Sequence, residues 1–68
     1  MMISDDIPNS KIEQAIDEYI RNEKYRVILK KRLIDGKTYE RIAEETDMSP
    51  RQIKTIIYKT QEKVLLRL

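Results

Sequence analysis

The sequence predicts an all-α domain of four helices. Three observations lead there. Apolar residues recur at intervals of three and four, with no strand-like alternation competing. A Ser, Thr or Asn stands ahead of each apolar run, where it can cap a helix start. The single glycine of the 68 residues falls between two runs, not inside one. A chain this short sits near the lower limit of what folds alone, so nearly every apolar side chain is needed in the core.

Taken in order, Ser10 with Glu13 reads as a capping box, each side chain satisfying a backbone N–H at the helix start. Helix one then runs to about Arg21, with Ile12, Ala15, Ile16, Tyr19 and Ile20 on one stripe that faces the core. Asn22 caps a second helix through Asp35, which turns Tyr25, Ile28, Leu29 and Leu33 inward and Lys24, Lys30 and Lys31 mostly outward. Gly36 ends it, because glycine enters the left-handed region at little steric cost. Thr38 caps a short third helix over residues 39–46, with Ile42 and Ala43 inward. Asp47, Met48 and Ser49 make a tight connection. Three start signals then coincide: Ser49 as cap, Pro50 at the first helical position where a missing N–H costs nothing, and Gln52 closing a second capping box. In the fourth helix Ile53, Ile56, Ile57, Thr60 and Val64 continue the inward face almost to the C-terminus. Residues 1–9 read as a flexible lead-in, and no repeat or linker divides residues 10–68.

Composition removes several functions. There is no cysteine and no histidine, so thiol nucleophiles, imidazole bases and the usual zinc ligands are all missing. Glu44 and Glu45 have no base or metal partner in view, and the sequence predicts no enzyme and no cofactor. No stretch approaches the roughly 20 apolar residues that span a bilayer, and the first residues lack a signal-peptide pattern, so a cytoplasmic protein with no membrane partner is expected. The net charge is only +2, but it is segregated. By segment it is −4 over residues 1–23, +4 over 24–36, −2 over 37–47 and +4 over 48–68. A basic side of this kind suits a polyanion. Asp5, Asp6, Asp17 and Glu18 would form an acidic face pointing away from it.

Helices three and four carry the functional signal. Two helices joined by about three residues cross steeply and need a small side chain where their backbones approach; Ala43 supplies it. Met48 in the turn and Ile53 and Ile56 beyond it complete a helix-turn-helix register, so residues 10–68 read as a single helix-turn-helix domain with a long C-terminal recognition helix. Asp47 holds the turn position where glycine is commonest, a mild departure because Asp tolerates positive φ better than most residues. With the isoleucines inward, the outer side of helix four shows Arg51, Gln52, Lys54, Thr55, Tyr58 and Lys59. No acid lies between Ser49 and Gln61 to repel DNA. Arg and Lys bond guanine edges or phosphates, Gln pairs with adenine, and Thr and Tyr meet a thymine methyl or a phosphate. These residues crowd the N-terminal half of the helix, the half that reads bases in a major groove. The expected partner is double-stranded DNA.

The stretch "YRVILKKRLIDGKTYERIAEETDMSPRQIKTIIYKTQEKV", from Tyr25 to Val64, resembles region four of bacterial RNA polymerase sigma factors over more than half of the chain. The marks are the basic "ILKKRL" helix, "GKTYERIAE" and the "MSPRQIKTI" start of the fourth helix. The resemblance implies binding to the minus-35 promoter element and docking on the β-subunit flap of RNA polymerase. Carried over by position, Arg51, Gln52, Lys54 and Thr55 would face bases or phosphates, Lys59 a phosphate, and Thr38 the backbone at the third helix's start. Pro50 stands where that family usually has arginine, and Arg51 where it often has glutamate, so the sequence read should differ from the usual minus-35 consensus. Nothing in 68 residues would recognise the minus-10 element, so the expectation is a stand-alone bacterial or phage protein: a small regulator, part of a split sigma factor, or a flap-bound modulator.

One feature points elsewhere. In "VLLRL", Val64, Leu65, Leu66 and Leu68 cannot all reach one core. The exposed remainder suits a module that docks on polymerase or a partner subunit without reading DNA, a homodimer through the C-terminal helix, or simple packing against helix one.

Overall fold

The structure, a computed structural model, describes residues 8–68. Four helices follow one another: α1 (Asn9–Tyr19), α2 (Glu23–Leu33), α3 (Tyr39–Thr46) and α4 (Pro50–Leu65), and no strand occurs among the described residues. The all-α, helix-turn-helix expectation holds. Asp5 and Asp6 of the expected acidic face, like most of the expected lead-in, lie outside the described residues; Asn9, assigned to that lead-in, is helical.

The caps explain the boundaries. At α2 the Tyr25 N–H donates to Asn22 Oδ1 at 3.2 Å, and at α3 the Arg41 N–H donates to Thr38 Oγ1 at 3.1 Å. At α4 the capping box is complete: the Gln52 N–H donates to Ser49 Oγ at 3.2 Å and the Ser49 N–H donates to Gln52 Oε1 at 3.1 Å. Each such cap is worth about 1 kcal/mol. The Ser10–Glu13 box does not form. Pro8 is the N-cap of α1, and its carbonyl takes the Lys11 and Ile12 N–H groups, which places Ser10 inside the first turn instead of ahead of it.

Two ends differ from expectation for local reasons. Helix α1 stops at Tyr19, and Ile20, in extended conformation, reaches back into the core. That leaves Tyr19 at the edge, 44% exposed, under the Arg67 guanidinium, which lies 4.7 Å from the ring centre. Helix α2 stops at Leu33, because the Lys30 carbonyl accepts from both Ile34 and Asp35 and the last turn loosens. Gly36 then takes φ +68°, as expected of a glycine that ends the segment. Asp47 adopts φ 58°, ψ 41°, and the Ala43 carbonyl accepts from the N–H groups of both Asp47 and Met48. A left-handed residue here reverses the chain between α3 and α4 in three residues.

One core joins all four helices. Ile12, Ala15, Ile16 and Ile20 meet Ile28 and Leu29, Ile42 and Ala43, and Ile53, Ile56, Ile57 and Val64, with Tyr25, Leu33, Tyr39 and Met48 packed around them. Thr60 is the buried polar residue of α4, and its hydroxyl donates to the Ile56 carbonyl at 2.7 Å. Every inward position expected of α4 is buried, which fixes the rotation of the helix and hence which side chains it shows to solvent.

Candidate nucleic-acid interface

Burial of Ile53, Ile56, Ile57, Thr60 and Val64 leaves Arg51, Gln52, Lys54, Thr55, Tyr58 and Lys59 exposed along the outside of α4. Six of the seven residues singled out from the sequence are thus on one helix face. The seventh, Thr38, stands at the start of α3. Its oxygen accepts from Arg41 and its hydroxyl proton stays available to a phosphate oxygen.

The face is held in defined orientations. Thr55 donates its hydroxyl proton to the Arg51 carbonyl at 3.0 Å, and so presents its methyl group and oxygen lone pairs. Lys54 Nζ lies 5.8 Å from the centre of the Tyr58 ring, a cation–π distance that lets the two side chains cover each other's apolar parts. Gln52 is not a free amide, because its Oε1 is tied into the capping box. Arg51, Lys59 and Lys63 have no ion-pair partner among the described residues.

The basic residues of α2 behave differently. Lys30 pairs with Asp17 at 2.9 Å and Glu13 at 3.7 Å, across to α1. Its ammonium is held above the usual lysine pKa, chiefly by the hydrogen bond to Asp17. Lys31 reaches Glu45 at 2.8 Å, Lys37 reaches the same carboxylate at 2.9 Å, and Arg41 lies 3.9 Å from it. The hydrogen bonds from Lys31 and Lys37 hold the Glu45 carboxyl down at about 2. Arg32 stacks 4.4 Å from the Tyr39 ring centre and donates to the Lys37 carbonyl at 2.9 Å. Arg26 donates to the Ile20 carbonyl at 3.2 Å. Of the basic side chains of α2, Lys24 alone has no ion pair, no hydrogen bond to a carbonyl and no cation–π contact among the described residues.

Lys24 is the residue that sequence reasoning leaves out of the site. It stands beside Arg51, Gln52 and Thr55 on a groove between the starts of α2 and α4, floored by Tyr25, Met48 and Ile56. A second groove on the other side of Tyr25 carries Arg21, Lys59 and Lys63. Unpaired cations therefore run from the α1–α2 junction onto α4. The signal that could have found Lys24 is its position: it lies in the first turn after the Asn22 cap, on the stretch whose next residue packs against α4's core face. On the α3 side of Pro50 the lining changes to Glu40, Glu44 and Asp47, so the positive surface has an acidic border. Among the described residues no cluster of three or more His, Cys, Asp or Glu side chains is placed to hold a metal ion, and no helix is long and apolar enough to cross a membrane.

A steeply turned helix pair whose second member has a buried apolar side and an exposed, acid-free basic side defines a helix-turn-helix domain. The family model described as sigma-70, region 4, matches residues 22–64, which contain α2, α3 and nearly all of α4. The chain belongs to that family of DNA-binding, RNA polymerase-associated domains. No curated protein and no solved structure matches it.

Proposed function

We propose that this chain is a transcriptional regulator that reads double-stranded DNA in the major groove with α4, acting in the cytoplasm alongside RNA polymerase. The supporting observation is the outer face of α4: Arg51, Gln52, Lys54, Thr55, Tyr58 and Lys59 are exposed with no acid among them. In the proposed complex Arg51, Gln52, Lys54 and Thr55 reach base edges or nearby phosphates, while Lys59, Lys24 and the Thr38 hydroxyl hold the backbone and set the register. Tyr58 adds a phosphate contact or an apolar surface for a thymine methyl. The acids Glu40, Glu44 and Asp47 beside Pro50 disfavour a shifted docking by repelling phosphates there.

Fluorescence anisotropy with a labelled minus-35-like duplex and a scrambled one, across a salt series, tests this. Neutralising about five phosphates gives a log–log salt slope of about −4 to −5. That slope with preference for one duplex is the expected result. Absence of binding to either duplex at low salt rejects it.

A second reading rests on a separate observation. Leu65, Leu66 and Leu68 are exposed at the end of α4, Leu66 at 77%. An apolar end of this kind fits a contact with a polymerase subunit such as the β flap, without DNA reading. Co-purification with polymerase that survives loss of DNA binding supports this reading. A dimer by light scattering, with no polymerase captured, assigns the leucines to a second copy.

A further inference from the structure

We propose that Gln52 reads DNA only as a hydrogen-bond donor, so that α4 selects a guanine-containing, acceptor-rich edge and not adenine; this rests on the DNA-reading role proposed for α4. A glutamine amide has one oxygen with two lone pairs and one NH2 group. Pairing with adenine uses both ends, the oxygen accepting from N6–H and the nitrogen donating to N7. Here the oxygen is occupied. Gln52 Oε1 accepts from the Ser49 N–H at 3.1 Å and from the Ser49 hydroxyl at 3.3 Å, while Ser49 Oγ accepts from the Gln52 N–H at 3.2 Å. Both lone pairs are filled by the residue that starts the helix, and only the NH2 group remains to meet a base.

Its neighbours have the same polarity. Arg51, the residue before Gln52, and Lys59, two turns after it, are exposed on α4 and carry donors alone. A donor-only Gln52 with the Arg51 guanidinium before it matches guanine, whose O6 and N7 acceptors lie side by side in the major groove. Thymine offers one acceptor, O4, beside a methyl group that the exposed Thr55 can meet. Adenine sets an N–H next to its one acceptor, and cytosine offers only an N–H, so both oppose a donor array. Reading adenine with both ends of Gln52 would require opening the capping box and leaving the Ser49 N–H without its partner.

The test is selection of duplexes by the full 68-residue chain from a library randomised over about one helical turn, repeated with Gln52→Glu. Glutamate closes the same box at this helix position, so Tm is expected to hold, but its free oxygen accepts and no longer donates. The wild-type chain is expected to select guanine at the position that responds to Gln52. Replacing that guanine with 7-deazaguanine lowers affinity about fivefold or more. The variant is expected to shift that position toward cytosine, whose N4 amino group donates. Selection of adenine there, with affinity lost on removing its N6 amino group, overturns the proposal. Binding without base preference also overturns it but leaves a DNA-binding role in place, whereas no binding to any duplex at low salt rejects both.

Discussion

Residues 24–36, which hold all of α2 but Glu23, and residues 48–68, which contain α4, each hold five bases and one acid, yet the two segments put those charges to opposite uses. On α2, Lys30 and Lys31 are bound to carboxylates of α1 and α3, and Arg26 and Arg32 donate to backbone carbonyls. On α4, Arg51, Lys54, Lys59 and Lys63 have no such partner among the described residues, and Lys54 lies over the Tyr58 ring. The reason is position. Helix α2 lies against α1, α3 and α4, and its lysines fall beside the two acid-rich segments of the chain. The outer face of α4 is exposed, and the groove at its edge is shared with Lys24, itself a cation. A net charge counted along a sequence therefore becomes a binding surface only after internal ion pairs are subtracted. Here that subtraction, with Arg26 and Arg32 tied to backbone carbonyls, leaves Lys24 and α4.

The largest effect should come from removing charge on the two helices in parallel. Arg51→Ala with Lys54→Ala is expected to weaken DNA binding by about 2–4 kcal/mol with an unchanged melting temperature, because neither side chain is in the core. Lys30→Ala with Lys31→Ala removes the same formal charge. It should change DNA affinity by no more than about twofold, since charges already paired and distant from the duplex are screened, and should lower Tm instead. Anisotropy and thermal melting of the two double variants check both statements. Equal losses of affinity would break the contrast between the helices.

A smaller effect sharpens it within α2 itself. Lys24→Ala is expected to make the salt slope shallower by about 0.9, the value for one fewer phosphate neutralised. Lys30→Ala should leave the slope alone. An unchanged slope in Lys24→Ala would confine the interface to α4 and remove the groove shared by the two helix starts.

The sequence announces most of this fold because its signals are local. Asn22, Thr38 and Ser49 cap the helices they were expected to cap, since a side-chain oxygen within three residues of an unpaired N–H needs no tertiary information. The outer face of α4 follows directly from the isoleucine spacing on its inner face. Two misses are contests between neighbouring residues, and a third lies where distant residues decide. Ser10 lost its role because the Pro8 carbonyl serves the first turn of α1. Tyr19 turned outward because Ile20, just past the helix, fills the core position. The pairing of Lys30 and Lys31 spans 13 and 14 residues of sequence, and a periodicity argument holds no information about which acid comes near. Gln52 was legible as a capping residue and as a base reader, but not that the first role restricts the second.

The smallest predicted effect concerns the clamp that takes Lys31 out of the interface. Glu45 gathers Lys31, Lys37 and Arg41, joining α2, the loop after it and α3. Its carboxyl titrates at about 2 in the folded chain against 4.5 for a free side chain, first because of the Lys31 hydrogen bond and then that from Lys37. A folded-state pKa below the unfolded value means that the unfolded chain takes up the proton first. The stabilisation is therefore complete above pH 4.5 and lost as pH falls from 4.5 toward 2. Lys30, raised above 10.5 mainly by Asp17, has the opposite sign: its contribution is complete below 10.5 and fades as pH rises further. Glu45→Gln should accordingly melt slightly below the parent at neutral pH, and the gap should close as the pH is lowered through that acid window. DNA affinity at neutral pH should stay within about twofold, because freeing Lys31 adds a charge on α2 and not on the face that α4 presents. A marked rise in DNA affinity in Glu45→Gln would show that Lys31 reaches phosphate once released, and that the ion pairs of α2 hold a second basic surface in reserve.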